Sequence, residues 1–71
     1  MNNLLNLSRE IFDLEAICRA ISDYAKICRI QLGENDDYFC CEFYDNIYPL
    51  EQTKKEFENY LIAIENAGSF K

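Results

Sequence analysis

The segment Tyr38–Tyr44 constrains the fold of this chain more than any other, because it is rich in aromatic residues and apolar on both of its alternating sides. Successive side chains of a β-strand point to opposite faces of the sheet. One face of this segment therefore carries the side chains of Phe39, Cys41 and Phe43. The other face carries those of Tyr38, Cys40, Glu42 and Tyr44. A strand with apolar groups on both faces is usually central in its sheet or covered on its second face. The sequence therefore predicts that the rest of the chain is arranged around this strand.

Length and composition predict one small folded domain that spans residues 1–71. Apolar residues make up 49% of the chain, and five tyrosines and five phenylalanines against two glycines and one proline argue against disorder. A domain of roughly 60 residues buries only about 60% of the surface of its extended chain. The stability margin is therefore thin unless a partner or a cross-link adds to it.

The charge balance limits the classes of partner. Thirteen acidic and seven basic residues give a net charge of -6, whereas nucleic acids and anionic membranes are bound through Lys and Arg that neutralise phosphates. We therefore expect no direct binding of nucleic acid or membrane. A basic partner is mildly favoured, although an acidic surface also serves solubility alone. No run of about 18 apolar residues could span a membrane, and residues 1–6 lack the basic leader and apolar core of a secretory signal, so the predicted compartment is the cytoplasm.

The cysteine and histidine content predicts a protein without a metal or a cofactor. The chain has four cysteines, no histidine and no CxxC motif, which removes the usual zinc ligand pairings. Cys40 and Cys41 are adjacent, so on a strand they point to opposite faces and cannot readily share one metal or one disulfide bridge. We expect all four cysteines to be buried as small hydrophobic residues.

No catalytic constellation is visible either, and we expect the protein not to be an enzyme. The commonest general base, histidine, is missing, and no serine lies in a nucleophile-elbow context. Gly33 and Gly68 stand in a turn and at a helix end, so they form no phosphate-binding loop. The acidic segment Gly33–Asp37 lacks the alternating ligands and the terminal glutamate of a calcium loop, and a solvated turn is the favoured interpretation.

Periodicity predicts the element order β-α-β-β-α. A first strand covers Leu4–Leu7, with Leu5 and Leu7 on its apolar face. Asp13 has the position of an N-cap, and an apolar stripe at spacings of three and four predicts a helix of about four turns after it. That stripe consists of Leu14, Ile17, Cys18, Ile21, Tyr24, Ala25 and Cys28.

The second half of the chain continues this pattern. Alternation over Cys28–Leu32 predicts a second strand, and the turn Gly33–Asp37 joins it to the central strand as a hairpin. Pro49 fits the first position of a second helix, and Gly68 fits the position after its last turn. The buried face of this helix is predicted to consist of Leu50, Thr53, Phe57, Tyr60, Leu61 and Ile64.

This order of elements predicts an α+β domain with a three-stranded antiparallel sheet and two helices on one face. The third strand lies in the middle, as in the split-βαβ, ferredoxin-like arrangement without its last strand. The first strand then presents an unpaired edge, and edges without lysine, proline or a bulge tend to pair with another chain. Leu5, Asn6 and Leu7 are therefore predicted to bind a second copy of the chain or an extended peptide.

Three tyrosines form a second predicted binding surface. Tyr38 and Tyr44 lie on the face of the central strand that the helices leave open, and Tyr48 follows shortly after it. Tyrosines on such a face can stack on RNA bases, but those platforms lie among basic residues, and here Glu42 stands between the tyrosines. Burial of this face by a partner protein or a second copy is the favoured alternative.

The run Ile11–Tyr24 resembles the opening helix of the HxsD-like family, small proteins of His-Xaa-Ser radical-SAM peptide-maturation systems. The shared features are a hydrophobic-aromatic pair, an acidic cap, the sequence Leu-Glu-Ala-Ile, and then an alanine and an aromatic residue. Glu56–Leu61 resembles the family's closing helix, in which Phe-x-Asn precedes leucines, whereas Ile62–Glu65 stands in place of its usual basic ending. The resemblance implies an accessory, non-catalytic protein in the maturation of ribosomal peptides.

Two functions of different classes follow as hypotheses. In the first, the protein is an accessory binding protein that holds a precursor peptide or a radical-SAM enzyme by strand addition to the first strand. In the second, it is an acidic inhibitor or regulator, for instance phage-encoded, that blocks a basic nucleic-acid-binding surface. A neighbouring radical-SAM gene with a short precursor peptide favours the first hypothesis, and a phage setting without one favours the second.

Overall fold

The computed structural model describes residues 2–67 and contains the five predicted elements in the predicted order. These are β1 (Leu4–Ser8), α1 (Leu14–Asp23), β2 (Arg29–Glu34), β3 (Tyr38–Tyr44) and α2 (Leu50–Asn66). The strands form one antiparallel sheet in the order β1-β3-β2. The predicted α+β class and the central place of the third strand are therefore confirmed, while the predicted helix-end role of Gly68 lies outside the described residues.

One face of the sheet carries the hydrophobic core. Cys41 of β3 lies opposite both Leu5 of β1 and Leu32 of β2, and residues that lie opposite each other in neighbouring strands point their side chains to the same face. The same register adds Leu7, Phe39, Ile30 and Phe43 to this face. On β3 the face is almost fully buried, which confirms the predicted assignment of its two sides.

Both helices pack on this face through a chain of aromatic contacts. Phe57 of α2 is fully buried, and its ring meets that of Phe43 on β3 at a centroid distance of 5.4 Å and an interplanar angle of 84°. The ring of Tyr24, which follows α1, meets Phe57 at 5.3 Å and 88°. Such edge-to-face pairs each add about 0.5–1.5 kcal/mol beyond the burial of area. Phe57 therefore joins both helices to the centre of the sheet.

The predicted buried face of α2 is confirmed. Its buried side chains are Thr53, Phe57, Leu61 and Ile64, with Leu50 and Tyr60 partly buried next to them. The hydroxyl of Thr53 donates a hydrogen bond to the carbonyl oxygen of Pro49 at 3.1 Å, so this buried polar group is satisfied. The helix begins at Leu50, with Pro49 as the N-cap and not as the first helical residue. Neither helix in the described part of the chain is long and apolar enough to cross a membrane.

The predicted extent of α1 is wrong, and its predicted buried face is confirmed at Ile17 but wrong at Leu14 and Cys18. The helix ends at Asp23, so the predicted stripe that reaches Cys28 is not a single helical face. Leu14 is 43% exposed, Cys18 is exposed, and Ile21 is only partly buried. The side chains that the helix buries are Ala16, Ile17 and Ala20. The closest backbone packing of α1 is against α2. Small residues such as alanine permit a close approach, whereas the larger Leu14 is left exposed.

The hairpin between β2 and β3 is tighter than predicted. β2 continues through Gly33 to Glu34, so the turn consists of residues 35–37 only. The side-chain oxygen of Asn35 accepts the N–H groups of Asp37 at 2.9 Å and Tyr38 at 2.8 Å, which is typical of Asx turns. One asparagine therefore closes the turn, and both aspartates are left exposed, as the sequence predicted.

Two long-range hydrogen bonds show how α2 lies relative to β1. Asp13 is the N-cap of α1, as predicted, but its side chain makes no capping bond. Its N–H donates instead to Oε1 of Glu65, near the end of α2, at 2.9 Å. Near the start of α2, Nζ of Lys54 donates to the carbonyl oxygen of Asn2 at 3.0 Å. The helix therefore runs alongside β1, from the start of that strand to the loop that follows it.

The four cysteines are free thiols in different environments. Cys28 and Cys41 are buried, as predicted, whereas Cys40 is only partly buried on the open face of the sheet. Cys18 is exposed, so the prediction of a buried residue is wrong there. Cys18 lies one helical turn after Leu14, so both residues lie on the same exposed side of α1.

We expect the stability of the protein to fall in the alkaline range, in part because of Cys41. Burial, with the neighbouring thiols of Cys40 and Cys18, raises the pKa of Cys41 from 9.0 to about 12. Between these two pKa values the folded state keeps the thiol proton and the unfolded chain loses it, so rising pH favours unfolding. Urea unfolding midpoints should decline more steeply with pH for the parent than for Cys41→Ala. Equal slopes would contradict a buried, protonated thiol at this position.

Candidate functional site

The hydrogen bonds between β1 and β3 determine which backbone groups of β1 point outward. Phe43 donates its N–H to the carbonyl oxygen of Asn3 at 2.9 Å, and Arg9 donates its N–H to that of Asp37 at 3.1 Å. In an antiparallel ladder such bonds recur at every second residue, so the odd-numbered residues of β1 bond to β3. The residues that direct their backbone N–H and C=O groups away from the sheet are Leu4, Asn6 and Ser8.

Two of these six outward groups are already satisfied within the chain. The N–H of Leu4 donates to Oδ1 of Asn2 at 3.0 Å. The C=O of Ser8 accepts the N–H groups of Ile11 at 3.2 Å and Phe12 at 3.0 Å. Four groups have no partner among residues 2–67, namely the C=O of Leu4, the N–H and the C=O of Asn6, and the N–H of Ser8. We call these four groups the β1 edge.

The β1 edge differs from the predicted binding residues in one respect. Leu5 and Leu7 direct their backbone groups to β3, and their side chains face the helices, where Leu7 is 1% exposed and Leu5 is partly buried. Asn6 is exposed on the opposite side of the strand. From Leu4 to Ser8 the strand contains neither a charged residue nor a proline. It therefore lacks the charges and the proline that keep many edge strands from pairing with other chains.

A second free edge lies at β2, as a central third strand implies, and it lies outside the predicted binding residues. Its outward residues, whose backbone groups have no partner in the described part of the chain, are Ile30, Leu32 and Glu34. Both ends of this strand carry charges. Nε of Arg29 lies 3.3 Å from Oδ2 of Asp45, and Oε1 of Glu34 lies 2.5 Å from Nη1 of Arg9. Charges on an edge strand oppose its pairing with another chain, so the β1 edge is the better candidate.

The open face of the sheet carries the predicted tyrosines, but the structure does not bring all three together. Tyr38 and Tyr44 lie at opposite ends of β3, and Tyr48 lies in the loop before α2. Tyr38 and Tyr48 are about half exposed, at 44% and 51%. The hydroxyl of Tyr44 donates to Oε2 of Glu42 at 3.1 Å, and the guanidinium of Arg29 lies 4.5 Å from its ring centre. Within the described residues the face has no continuous aromatic platform for RNA bases.

Arg9 links the end of β1 to the hairpin turn. Its Nη1 donates to Oε1 of Glu34 at 2.5 Å and to the carbonyl oxygen of Asn35 at 3.0 Å, and its guanidinium lies 4.8 Å from the ring centre of Phe39. The depressions beside it are shallow and lined by polar residues. No group of three or more side chains able to hold a metal ion occurs among the residues searched, 2–67. The contacts of Arg9 therefore connect the end of β1 to the hairpin turn.

The β1 edge is thus a row of backbone donors and acceptors without a partner among residues 2–67. Comparisons with protein-family models, curated proteins and solved structures find no match to it. The resemblance to the HxsD-like family therefore stays a prediction that rests on the residues quoted for it.

Proposed function

We propose that the protein is a small non-catalytic binding protein that holds an extended segment of a partner by strand addition to the β1 edge. The observation that supports this proposal is the set of four backbone groups at Leu4, Asn6 and Ser8 that have no partner within residues 2–67. In strand addition such groups provide affinity, and alternating side chains provide specificity. The resemblance to the HxsD-like family supports a precursor peptide or a radical-SAM enzyme as the source of the segment.

The β1 edge limits the chemistry of the segment that it accepts. An antiparallel strand forms two hydrogen bonds with Asn6 and one each with the C=O of Leu4 and the N–H of Ser8. On the helix side of the sheet its side chains lie next to the partly buried Leu5, which favours apolar residues at those positions. Elsewhere in the segment basic residues are favoured, because the protein carries a net charge of -6.

The proposed setting is the cytoplasm. All four cysteines are free thiols, and thiols persist in compartments that are kept reducing. The second hypothesis, an acidic inhibitor or regulator of a basic nucleic-acid-binding surface, stays a prediction that rests on net charge. Strand addition is preferred because it follows from particular backbone groups with a defined geometry.

Asn6→Pro tests the proposal directly. Proline removes an N–H that has no partner inside the described domain, so the fold should persist while strand addition is weakened. The probe is a fluorescent peptide in which threonine and valine alternate between terminal lysines. We expect fluorescence anisotropy to give a Kd about tenfold higher for Asn6→Pro than for the parent, because one hydrogen bond is lost and the ring hinders the added strand.

Asn6→Ala is the matched control for this measurement. It removes the same side chain but keeps the backbone N–H, so it should bind the peptide as the parent does. Circular dichroism should show the same helix and strand content for all three proteins. If Asn6→Pro is folded and binds as tightly as the parent, the β1 edge is not the binding site and the proposed function is wrong.

A further inference from the structure

We infer that the β1 edge is complementary to the β1 edge of a second copy of this chain, and that the two copies pair antiparallel about a two-fold axis at Asn6. This inference rests on the proposed function, in which the β1 edge accepts a strand, and it names one occupant and the regulation that follows. Three features support this inference: the pattern of free backbone groups, the side chains next to them, and the direction of α2.

The backbone pattern is self-complementary. With the axis at Asn6, the N–H and C=O of Asn6 bond to the C=O and N–H of Asn6 in the second copy. The N–H of Ser8 then meets the C=O of Leu4 in the second copy, and the reverse bond forms as well. All four groups of each β1 edge are used. The N–H of Leu4 in one copy faces the C=O of Ser8 in the other without needing a bond. Asn2 already accepts from the N–H of Leu4, and Ile11 and Phe12 already donate to the C=O of Ser8.

No other antiparallel self-pairing of this strand uses the edge so completely. If the axis moves to Leu5, the C=O of Asn6 meets the N–H of Leu4, which is already bonded to Asn2. If the axis moves to Leu7, the N–H of Asn6 meets the C=O of Ser8, which the turn after β1 already uses. Either shift leaves backbone groups of Asn6 unpaired, and an unpaired buried backbone group is costly. The local hydrogen bonds therefore select one register.

The side chains agree with the register centred on Asn6. On the helix side, Leu5 of each copy lies opposite Leu7 of the other, so two leucine pairs join the two cores. Leu5 is only partly buried in the single chain, and pairing would cover it further. On the open side, Asn6 lies opposite Asn6, and Leu4 lies opposite Ser8. No charge from β1 enters the interface.

The direction of α2 fits this pairing, with Nζ of Lys54 also 3.6 Å from Oε2 of Glu51 in its own chain. The helix runs alongside β1, with Lys54 bonded to the carbonyl oxygen of Asn2 and Glu65 bonded to the N–H of Asp13. Because the two-fold axis reverses the second copy, the lysine end of one α2 lies towards the glutamate end of the other. Ile62, which is 41% exposed on α2, is an apolar residue on a helix that flanks the interface.

This pairing regulates the proposed function by competition. The four backbone groups that bond to a partner segment are the same four that bond to the second copy. A chain whose edge is paired must therefore dissociate before it can hold a peptide, and peptide affinity per chain should fall as the protein concentration rises. The open edge is protected by self-pairing when no partner is present.

A charge exchange at Asn6 tests the pairing. In the inferred dimer the two copies of this side chain are direct neighbours, so Asn6→Lys alone and Asn6→Asp alone each place like charges opposite each other. We expect sedimentation velocity to show a dimer for the parent and a dimer dissociation constant about fivefold higher for each variant alone. An equal mixture of the two variants should restore the parent's association, because lysine then lies opposite aspartate.

Gln31→Lys and Gln31→Asp are the matched controls. Gln31 is an exposed residue on the open face of the other edge strand, so these variants change the net charge equally and leave β1 intact. They should associate as the parent does, alone and mixed.

The inference and the proposed function fail in different ways. A parent that sediments as a monomer and binds the peptide removes self-pairing but keeps the function. Self-pairing at Asn6 is also overturned if a mixture of Asn6→Lys and Asn6→Asp associates no better than either variant alone. The same conclusion follows if the Gln31 variants dissociate when alone and associate again when mixed. The opposite outcome is that the mixture associates like the parent but the parent binds no peptide at any dilution. That outcome supports self-pairing and overturns the proposed function.

Discussion

Replacing Phe57 by alanine is expected to leave the chain largely unfolded at room temperature. The side chain is fully buried, and its ring meets the rings of Tyr24 and Phe43, so its removal separates both helices from the sheet. Deletion of a buried phenylalanine side chain costs about 3–5 kcal/mol. The single core of a domain this small rarely supplies more than about 3–5 kcal/mol of stability. Far-UV circular dichroism and a urea titration should show no cooperative transition for Phe57→Ala.

Phe57→Leu is the control for this prediction. Leucine keeps most of the apolar volume but removes both ring contacts, so this variant should fold and unfold cooperatively at a lower urea midpoint than the parent. A Phe57→Ala protein with a cooperative transition near that of the parent would mean that α2 is held to the sheet by contacts other than this ring.

The second large effect is expected at Leu61, and its sequence neighbour provides the comparison. Leu61 is fully buried, whereas Ile62 is 41% exposed on the same helix. Leu61→Ala should lower the free energy of unfolding by about 2–5 kcal/mol, and Ile62→Ala should change it by no more than about 0.5 kcal/mol. Both variants place alanine within α2, so the difference between them reports burial and hardly reflects helix propensity.

Urea unfolding of these two variants should be measured at low protein concentration, where self-association contributes little to stability. The expected result is a much lower midpoint for Leu61→Ala and an unchanged midpoint for Ile62→Ala. Similar midpoints for the two variants would contradict the rotational setting of α2 on the sheet.

The arrangement of the sheet could be predicted because its pattern is strong. Alternation over Tyr38–Tyr44 separates a buried face from an open one, and the structure confirms that separation residue by residue. The buried face of α2 could be predicted because large side chains such as Phe57 and Leu61 recur at helical spacing. In both elements the large side chains and the apolar side chains lie on the same face, so the pattern indicates a single buried face.

The rotation of α1 could not be predicted in the same way. An apolar stripe that includes Leu14 and Cys18 is a good helical pattern, and Ala16 and Ala20 contribute little to such a pattern because they are small. The structure nevertheless buries the alanines. The closest backbone packing of α1 is against α2, and how near two backbones come is a property of the assembled fold that periodicity does not report.

The candidate site could be predicted only as a strand. Its free groups belong to Leu4, Asn6 and Ser8, whereas the predicted binding residues were Leu5, Asn6 and Leu7. The free groups could have been assigned to these three residues from the sequence pattern. In a strand of L-residues, the face on which a side chain lies and the direction of the strand together determine the side to which the N–H and C=O of that residue point. No pattern in the sequence indicated that Asn2 bonds to the N–H of Leu4, or that the turn after β1 bonds to the C=O of Ser8.

The topology of the sheet also affects the nascent chain. Asn35 and Tyr38, which close the hairpin, are 3 residues apart, whereas Asn3 bonds to Phe43 across 40 residues. Closing the longer loop costs more conformational entropy, so the hairpin should form before β1 joins it. Among the three strands β1 is synthesised first and incorporated last. Until β3 leaves the ribosome, both sides of β1 are unpaired, and the residues of the proposed binding edge then expose the growing chain to mispairing.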